Sequence, residues 1–532
     1  LVFTAFVDRS IEETTLNGAS ADLYTAFGGR LSYDVTRRLN LRGGLTVARS
    51  KYVGINRTDQ TTIASAAARY RFTPWLFASA EYQFRRRESD VGGQSYTENR
   101  AMLRVGTDFG ATRKVVVPPF GDRSAAPSIR GAHRSIFSGA YIGALLSKVD
   151  LLTNVDGVRG PNRAYDVDFG QIGMGPGGFF GYGLVFDRIY IGLEVAGQAS
   201  TAEWDHSRLP GGRVFSVDEL YNISGVLKFG YVNRDLAMFY GLIGVIRAGY
   251  NTVYMHGNRT TDFNQHLTGL RVGAGIEVPL TDSLFTRLEY AFNRFSSYDV
   301  PYNNGTDTFS PSSGVVTVAL GWRFNNMARP VPAGRSSKAF RGLYGGLQIG
   351  FGSLLSNTSG ARYSGTPASF SELRAEFAGT GFTGGLFGGY GYTLGNVYVG
   401  VEGELEGSTA RWEHFRGAPA RDFSVRKILS YGGSVRAGYI FRKSALVYGR
   451  VGVVRTTFET RYNEGNVVTT PRDTQFGIRF GGGLEVPIGK RTFLRFDYTH
   501  TEYGRYMVAY NSGVDRFRNS ENLFRVGVLL RY

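Results

Sequence analysis

Cysteine is absent from all 532 residues. This excludes a disulfide scaffold, thiolate metal sites and a cysteine nucleophile. No stretch of 18 apolar residues occurs, which excludes a membrane-spanning helix. Proline (16) and methionine (6) are scarce, and acids are outnumbered: 44 Asp and Glu stand against 61 Lys and Arg, for a formal charge of +17. Glycine (73), tyrosine (32) and phenylalanine (38) are plentiful. Disordered chains lack aromatics, so this chain folds. Glycine with aromatics in alternating runs points to β-structure. The length suggests two to four domains. The chain opens on Leu1 with strand-like residues and no signal peptide, so the numbered sequence is expected to begin inside a longer precursor.

Self-similarity sets the organisation. At an offset of 208, Trp204 pairs with Trp412, Tyr231 with Tyr439, Tyr240 with Tyr448 and Pro279 with Pro487. The match extends upstream with a small shift, from about Tyr141 and Tyr344. A unit this long is a duplicated domain rather than a solenoid repeat. Each copy shows eight strand-like runs, with short connections such as Phe186-Asp187-Arg188 alternating with long ones. In copy one the long connections are expected as polar loops at 149–176, 200–219, 252–265 and 298–313. Short turns at one end and long polar loops at the other form the outer-membrane barrel pattern. The fold class is therefore all-β, expected as tandem antiparallel up-and-down transmembrane barrels. Two eight-stranded barrels span 136–324 and 340–532, after an N-terminal partial barrel of about six strands in 1–109. Linkers are expected at 110–135 and 325–339.

Alternation sorts each strand into two faces. Leu284, Leu288, Tyr290 and Phe292 share one face, and Arg287, Glu289 and Asn293 the other. The charges recur at the offset: Glu194/Glu402, Lys228/Arg436, Arg271/Arg479, Glu277/Glu485, Arg287/Arg495 and Glu289/Asp497. Three acids and three bases per copy suit a lumen ion-pair network, because a narrow interior tolerates charges only in pairs. Solvated faces of a soluble sandwich are the competing explanation. Eight strands leave room for little beyond their own side chains, so neither copy is expected to hold an open pore. Tyr231, Tyr240, Tyr498 and Tyr503 are expected in interfacial girdles.

Copies 136–324 and 340–532 resemble the small eight-stranded outer-membrane barrels of the opacity-protein and OmpA-like type, among them surface antigens of α-proteobacteria. The residues that carry this are Gly139-Ala-Tyr-Ile-Gly-Ala144, Gly177-Gly-Phe-Phe-Gly-Tyr182, Gly273-Ala-Gly-Ile-Glu-Val-Pro279 and Gly321-Trp-Arg-Phe324. In copy two they are Gly384-Gly-Leu-Phe-Gly-Gly389, Tyr398-Val-Gly-Val-Glu402 and Leu529-Leu-Arg-Tyr532. The resemblance implies a Gram-negative outer membrane, periplasmic linkers and insertion by the barrel-assembly machinery, which would read the terminal aromatics Phe324 and Tyr532. Residues 1–109 resemble the closing half of a larger porin-like barrel. A merged 22-stranded barrel is a further option.

Trp204-Asp205-His206 and Trp412-Glu413-His414 supply too few ligands for a metal and are expected as structural or interfacial loop residues. His133, His256, His266 and His500 are scattered. Gly173-Met-Gly-Pro-Gly-Gly178 lacks the Lys-Ser/Thr ending of a phosphate loop and is expected to lead from a loop into a strand. No nucleophile elbow is present. Neither a cofactor nor a catalytic or metal site is expected. Arg85-Arg-Arg87, Arg247 and Arg455 could meet lipopolysaccharide phosphates, which explains the positive charge without nucleic acid. The expected partners are outer-membrane lipid and lipopolysaccharide, the assembly machinery, and host or cell-surface ligands at the loops. The expected work is that of a structural surface antigen. A porin or solute channel, a lipid-A-modifying enzyme and a soluble adhesin-like sandwich are the alternatives.

Overall fold

The structure is a computed structural model that describes residues 2–12, 14, 18–34, 39–71, 76–91, 94–107, 135–159, 163–209, 213–256, 259–302, 305–324, 336–363, 370–417, 421–465, 467–510 and 513–532. Most of the two expected linkers lies outside these. Among the described residues no helix is long and apolar enough to cross a membrane. The chain divides into two units, Leu1–Ile129 and Arg130–Tyr532.

The first unit is an antiparallel sheet of six strands in sequential order: β1 (Val2–Glu12), β2 (Ala21–Asp34), β3 (Leu39–Val53), β4 (Thr58–Arg71), β5 (Leu76–Ser89) and β6 (Tyr96–Thr107). Its outermost strands, β1 and β6, have no further partner among the described residues. Buried Asp59 on β4 receives Arg57 and Arg87.

The first half of the second unit holds β7 (Gly139–Arg159), β8 (Arg163–Phe186), β9 (Ile189–Leu209), β10 (Arg213–Asn233), β11 (Ala237–His256), β12 (Arg259–Pro279), β13 (Leu284–Phe295), β14 (Tyr298–Tyr302) and β15 (Gly305–Phe324). Neighbours pair antiparallel in chain order, with β13 and β14 end to end against β15. Strand β15 returns to β7, with Val318 opposite Leu146. The second half opens with a 3-10 helix, Ser337–Phe340. It continues with β16 (Gly342–Tyr363), β17 (Phe370–Leu394), β18 (Val397–Ser408), β19 (Arg411–Arg416), β20 (Arg421–Phe441), β21 (Ala445–Glu464), β22 (Val467–Thr469), β23 (Arg472–Pro487), β24 (Thr492–Tyr510) and β25 (Gly513–Arg531). Here β25 pairs back onto β16, with Val528 opposite Leu347. Two of the short turns place consecutive residues, Arg234-Asp235 and Arg442-Lys443, at φ between 50° and 56°. That left-handed pair matches the twist of a tight hairpin.

The long polar loops expected in copy one are not loops. Residues 149–159 continue β7, 200–209 continue β9, and most of 163–176, 213–219, 252–256, 259–265 and 305–313 are likewise strand. The sequence misleads because the face chemistry inverts along each strand. On β9 near the short-turn end, Leu193 and Val195 point outward and are exposed, while Glu194 is buried inside. Farther along, Glu203 and Asp205 are exposed, while Ala202, Trp204 and His206 are buried. Outward polar residues there look like loop composition, although apolar side chains still recur at every second position. Gly173-Met-Gly-Pro-Gly-Gly178 likewise lies inside β8, not ahead of it. A Cβ on Gly173 would sit 2.2 Å from the Ala202 nitrogen, and its counterpart Gly381 meets Ala410 in the same way. Only glycine allows that close backbone approach.

At the end remote from the short turns, the two halves exchange pairing. β8 pairs with β9 only over Gly177–Phe186, and β17 with β18 only over Thr383–Leu394. Beyond those points β17 pairs with β9 (Glu372↔Leu209 to Ala375↔His206) and β19 with β8 (His414↔Val167 to Arg416↔Tyr165). The two rings thus share one continuous wall at this end, a feature that separate barrels do not have.

Candidate functional site

Five of the six acid and base positions of copy one converge inside its ring. Arg287 donates both terminal nitrogens to Glu194, at 2.5 and 2.9 Å. Lys228 bridges Glu194 (2.7 Å) and Glu289 (3.4 Å), and Arg271 reaches Glu289 at 3.3 Å. Glu277 stands apart near the short turns, held by Arg323. In copy two, Arg436 and Arg495 donate to Glu402 at 3.1 and 2.7 Å, and Arg436 also pairs with Glu485 at 3.0 Å. Arg479 binds Glu404 at 2.8 Å. Asp497 accepts from Arg525 at 2.5 Å and from the Tyr448 hydroxyl at 2.6 Å. All these side chains are buried. Arg287 and Arg495 also lie over the rings of Phe179 and Phe387, at 3.8 and 3.7 Å.

Reading only positions shared by both copies missed half of the copy-two cluster. Glu404, Glu406, Lys427, Arg450, Glu521 and Arg525 are all buried and paired. Their copy-one counterparts are Ala196, Gln198, Glu219, Leu242, Ser313 and Thr317, so the offset hid them. Arg323 and Arg531 do recur and were recoverable. Each donates to a backbone carbonyl, that of Phe137 (2.6 Å) and that of Phe340 (2.5 Å). Phe137 and Phe340 are almost fully buried, so each ring is stoppered at its short-turn end. Beside Glu194, Asn222, Arg271 and Glu289 lies a cavity of about 10 Å³, at the lower limit for one water molecule.

Several expected placements need correction. Trp204 and Trp412 lie in strands, not loops, with their indole nitrogens donating to Thr153 (2.9 Å) and Ser356 (2.7 Å) inside the shared head. Of the four girdle tyrosines only Tyr231 is exposed; Tyr498 also points outward but packs into the seam between the halves. Tyr240 donates to Glu289, Tyr503 to Glu521 and Tyr498 to Asn522. Polar demand for the hydroxyl outweighs the interfacial preference. His500 hydrogen-bonds Asn522 and Glu502, and His266 meets the Tyr221 hydroxyl. His133 and the side chain of His256 are outside the described residues. Among the described residues no group of three His, Asp or Glu could hold a metal. Arg247 and Arg455 are exposed, one step beyond the outward apolar residues Val245 and Val453. Arg85, Arg86 and Arg87 lie within β5. Phe324 and Tyr532 end their strands facing outward.

The seam between the halves is isologous. Phe169 and Phe377, equivalent at the offset, are paired and stacked 5.7 Å apart. Behind each stands a stacked tryptophan, Trp204 at 4.6 Å and Trp412 at 4.4 Å, and then Phe309 and Phe517. The backbone N–H of Asp205 donates to Glu376 (3.0 Å) and that of Glu413 to Asp168 (3.2 Å). Reciprocal contacts of this kind define a two-fold interface.

The β9–β10 hairpin of the head carries a pH-sensitive contact. Asp218 lies directly opposite Glu203, a like-charge pair that opposes pairing when both are ionised. Burial, then Glu203 and Asp205, push the Asp218 carboxyl up to about 6. A carboxyl raised in the folded state contributes stability at low pH, and this is lost as pH rises through about 6. Amide exchange in the hairpin, corrected for intrinsic rates, is therefore expected to be slower at pH 5 than at pH 7. Asp218→Asn should erase the difference; an unchanged difference would locate the effect elsewhere.

Residues 124–324 and 327–531 each match the family model of the outer membrane protein beta-barrel domain. Residues 2–109 match the model of putative beta-barrel porin 2. No curated protein matches the chain. Among solved structures, the attachment invasion locus protein Ail of Yersinia pestis, in complex with the heparin analogue sucrose octasulfate, is 10% identical. That alignment covers 35% of this chain and 99% of Ail, with a TM-score of 0.18. Neisserial surface protein A is 14% identical over 35% of this chain and 97% of its own, with a TM-score of 0.19. A FadL homologue of Pseudomonas aeruginosa is 10% identical over 74% and 90%, with a TM-score of 0.25.

Proposed function

The chain belongs to the family of outer-membrane β-barrel domains, and on that premise we propose that residues 136–324 and 340–532 form two sealed eight-stranded barrels carrying one rigid head outside the cell. It is an outer-membrane protein. In this reading the outward apolar residues face lipid, the short turns and linkers lie in the periplasm, and the inversion of face chemistry marks where the strands leave the bilayer. Inside the membrane the interior holds ion pairs; outside it, the interior becomes an aromatic core. The observation that carries the proposal is the packed interior, with matched buried charges in both copies, a cavity of about 10 Å³ beside Glu194 in copy one and a buried phenylalanine at each base. The work is mechanical and surface-facing, with no catalytic step.

A second reading assigns solute conduction to residues 2–107. It draws on their match to a porin family model and on a sheet whose outer strands have no further partner among the described residues. Planar-bilayer recording of the full chain tests both readings. Electrical silence is the expected result for a scaffold. Steady ohmic steps would assign conduction, and a change of step size in a Phe137→Gly/Phe340→Gly variant would route it through the stoppered lumens and end the scaffold reading.

A further inference from the structure

The two-fold relation between the halves produces two mouths, one on each side of the seam, and their chemistry differs. Arg294 and Arg411 on one side occupy the positions held by Glu502 and Glu203 on the other. The acidic mouth satisfies itself. Asn522 donates to Asp150 and accepts from Tyr498 (2.8 Å), His500 bonds both Asn522 (2.7 Å) and Glu502 (3.0 Å), and Gln171 spans to Glu376 (2.7 Å). The basic mouth stays open. Where the acidic mouth has Gln171, it has Gly379, which contributes no side chain.

A cavity of about 400 Å³ lies there, lined by Leu152, Phe292 and Ala378 as well as by Asn154, Arg294 and Arg411. This is within the size range of ligand pockets. Arg294 is exposed and has no ion-pair partner among the described residues. Among the described residues Arg411 is tied only to the surface carboxylate of Glu413. Asp168 also lines the cavity, with its carboxylate occupied by Asn154 (2.9 Å) and the Glu413 backbone N–H (3.2 Å). Toward the short-turn end the floor continues as an outward aromatic patch. Phe351 packs edge-on against Phe292 (6.3 Å) and against Phe382 (5.2 Å), and Phe382 is 70% exposed. Arginines thus stand above a greasy track at the level where outward residues change from apolar to polar.

We propose that the basic mouth binds an anionic lipid, with its phosphate between Arg294 and Arg411 and an acyl chain along Phe292, Phe351 and Phe382. Guanidinium groups suit phosphate because they offer paired donors. The aromatic track would take the chain out of contact with bulk lipid, whereas the other mouth, where Lys148 and Arg518 already face Glu502, lacks this arginine pair. The site lies outside both lumens, so it stands whether or not either lumen conducts.

The test is native mass spectrometry of the full chain released from detergent micelles doped with dioleoylphosphatidylglycerol or, separately, dioleoylphosphatidylcholine. The expected result is retained phosphatidylglycerol and little phosphatidylcholine. Arg294→Gln/Arg411→Gln should lower retention about tenfold or more, which corresponds to a loss of about 1.4 kcal/mol or more of charge-assisted contact. Arg247→Gln/Arg455→Gln, at similar height but away from the cavity, should retain the lipid. An unboiled gel shift equal to wild type confirms that each variant is folded. Equal retention of both lipids, equal retention by both variants, or displacement by millimolar inorganic phosphate would overturn the proposal, the last by pointing to a free-anion site.

Discussion

Replacing Glu402 with leucine is expected to destabilise the second barrel by about 3–5 kcal/mol, a large fraction of the roughly 5–15 kcal/mol that holds a typical domain folded. Its carboxylate receives Arg436 (3.1 Å), Arg450 (3.2 Å), Arg495 (2.7 Å) and the Tyr344 hydroxyl (3.0 Å), all inside the ring. Leucine fits the volume but leaves three buried guanidiniums short of an anion. The Coulombic repulsion among them then acts with little solvent to weaken it. Glu459→Gln is the contrast, because its partners Arg426 and Arg472 are half or more exposed and surface pairs contribute little. Urea titration of the full chain, followed by the unboiled gel band, reads both variants. A Glu402→Leu midpoint within error of the Glu459→Gln midpoint would show that the lumen charges are solvated rather than interlocked.

The second large effect is expected at the waist of the shared head. Phe377→Ala and Phe169→Ala should each lower stability by about 3–5 kcal/mol, as buried phenylalanine truncations do. The pair should also couple. Stacked rings contribute about 0.5–1.5 kcal/mol beyond their buried area, so the double variant should lose less than the summed singles by that amount. The cycle asks whether the halves touch. Independent barrels would give additive losses, and additivity would remove the two-fold seam. The reciprocal N–H bonds to Glu376 and Asp168 predict the same coupling on a smaller scale.

Much of this architecture is legible in the residues. Period-two alternation in segments such as Leu284–Phe295 marks strands, and the 208-residue offset finds lumen charges such as Arg287 and Arg495. The same device is blind to what only one copy possesses, so Glu404, Glu406 and Arg525 stay hidden behind Ala196, Gln198 and Thr317. It also cannot find the seam. Asp150 and Asn522 point outward from their strands, where a barrel would normally show lipid-compatible residues, and only the opposite half explains why they are buried. The head escapes a reading of composition for a related reason. Composition averages over both faces, and a strand with acids outside and tryptophan inside has the mean polarity of a loop.

The two-fold relation between the halves has an evolutionary consequence. Were the barrels separate gene products meeting as a homodimer, every substitution would appear on both sides of the axis, so a cationic cleft would always come with its twin. Fusing the copies into one polypeptide removes that obligation. One side can then drift toward arginine while its counterpart drifts toward glutamate, and the joint itself, held by Phe169 and Phe377, need not change.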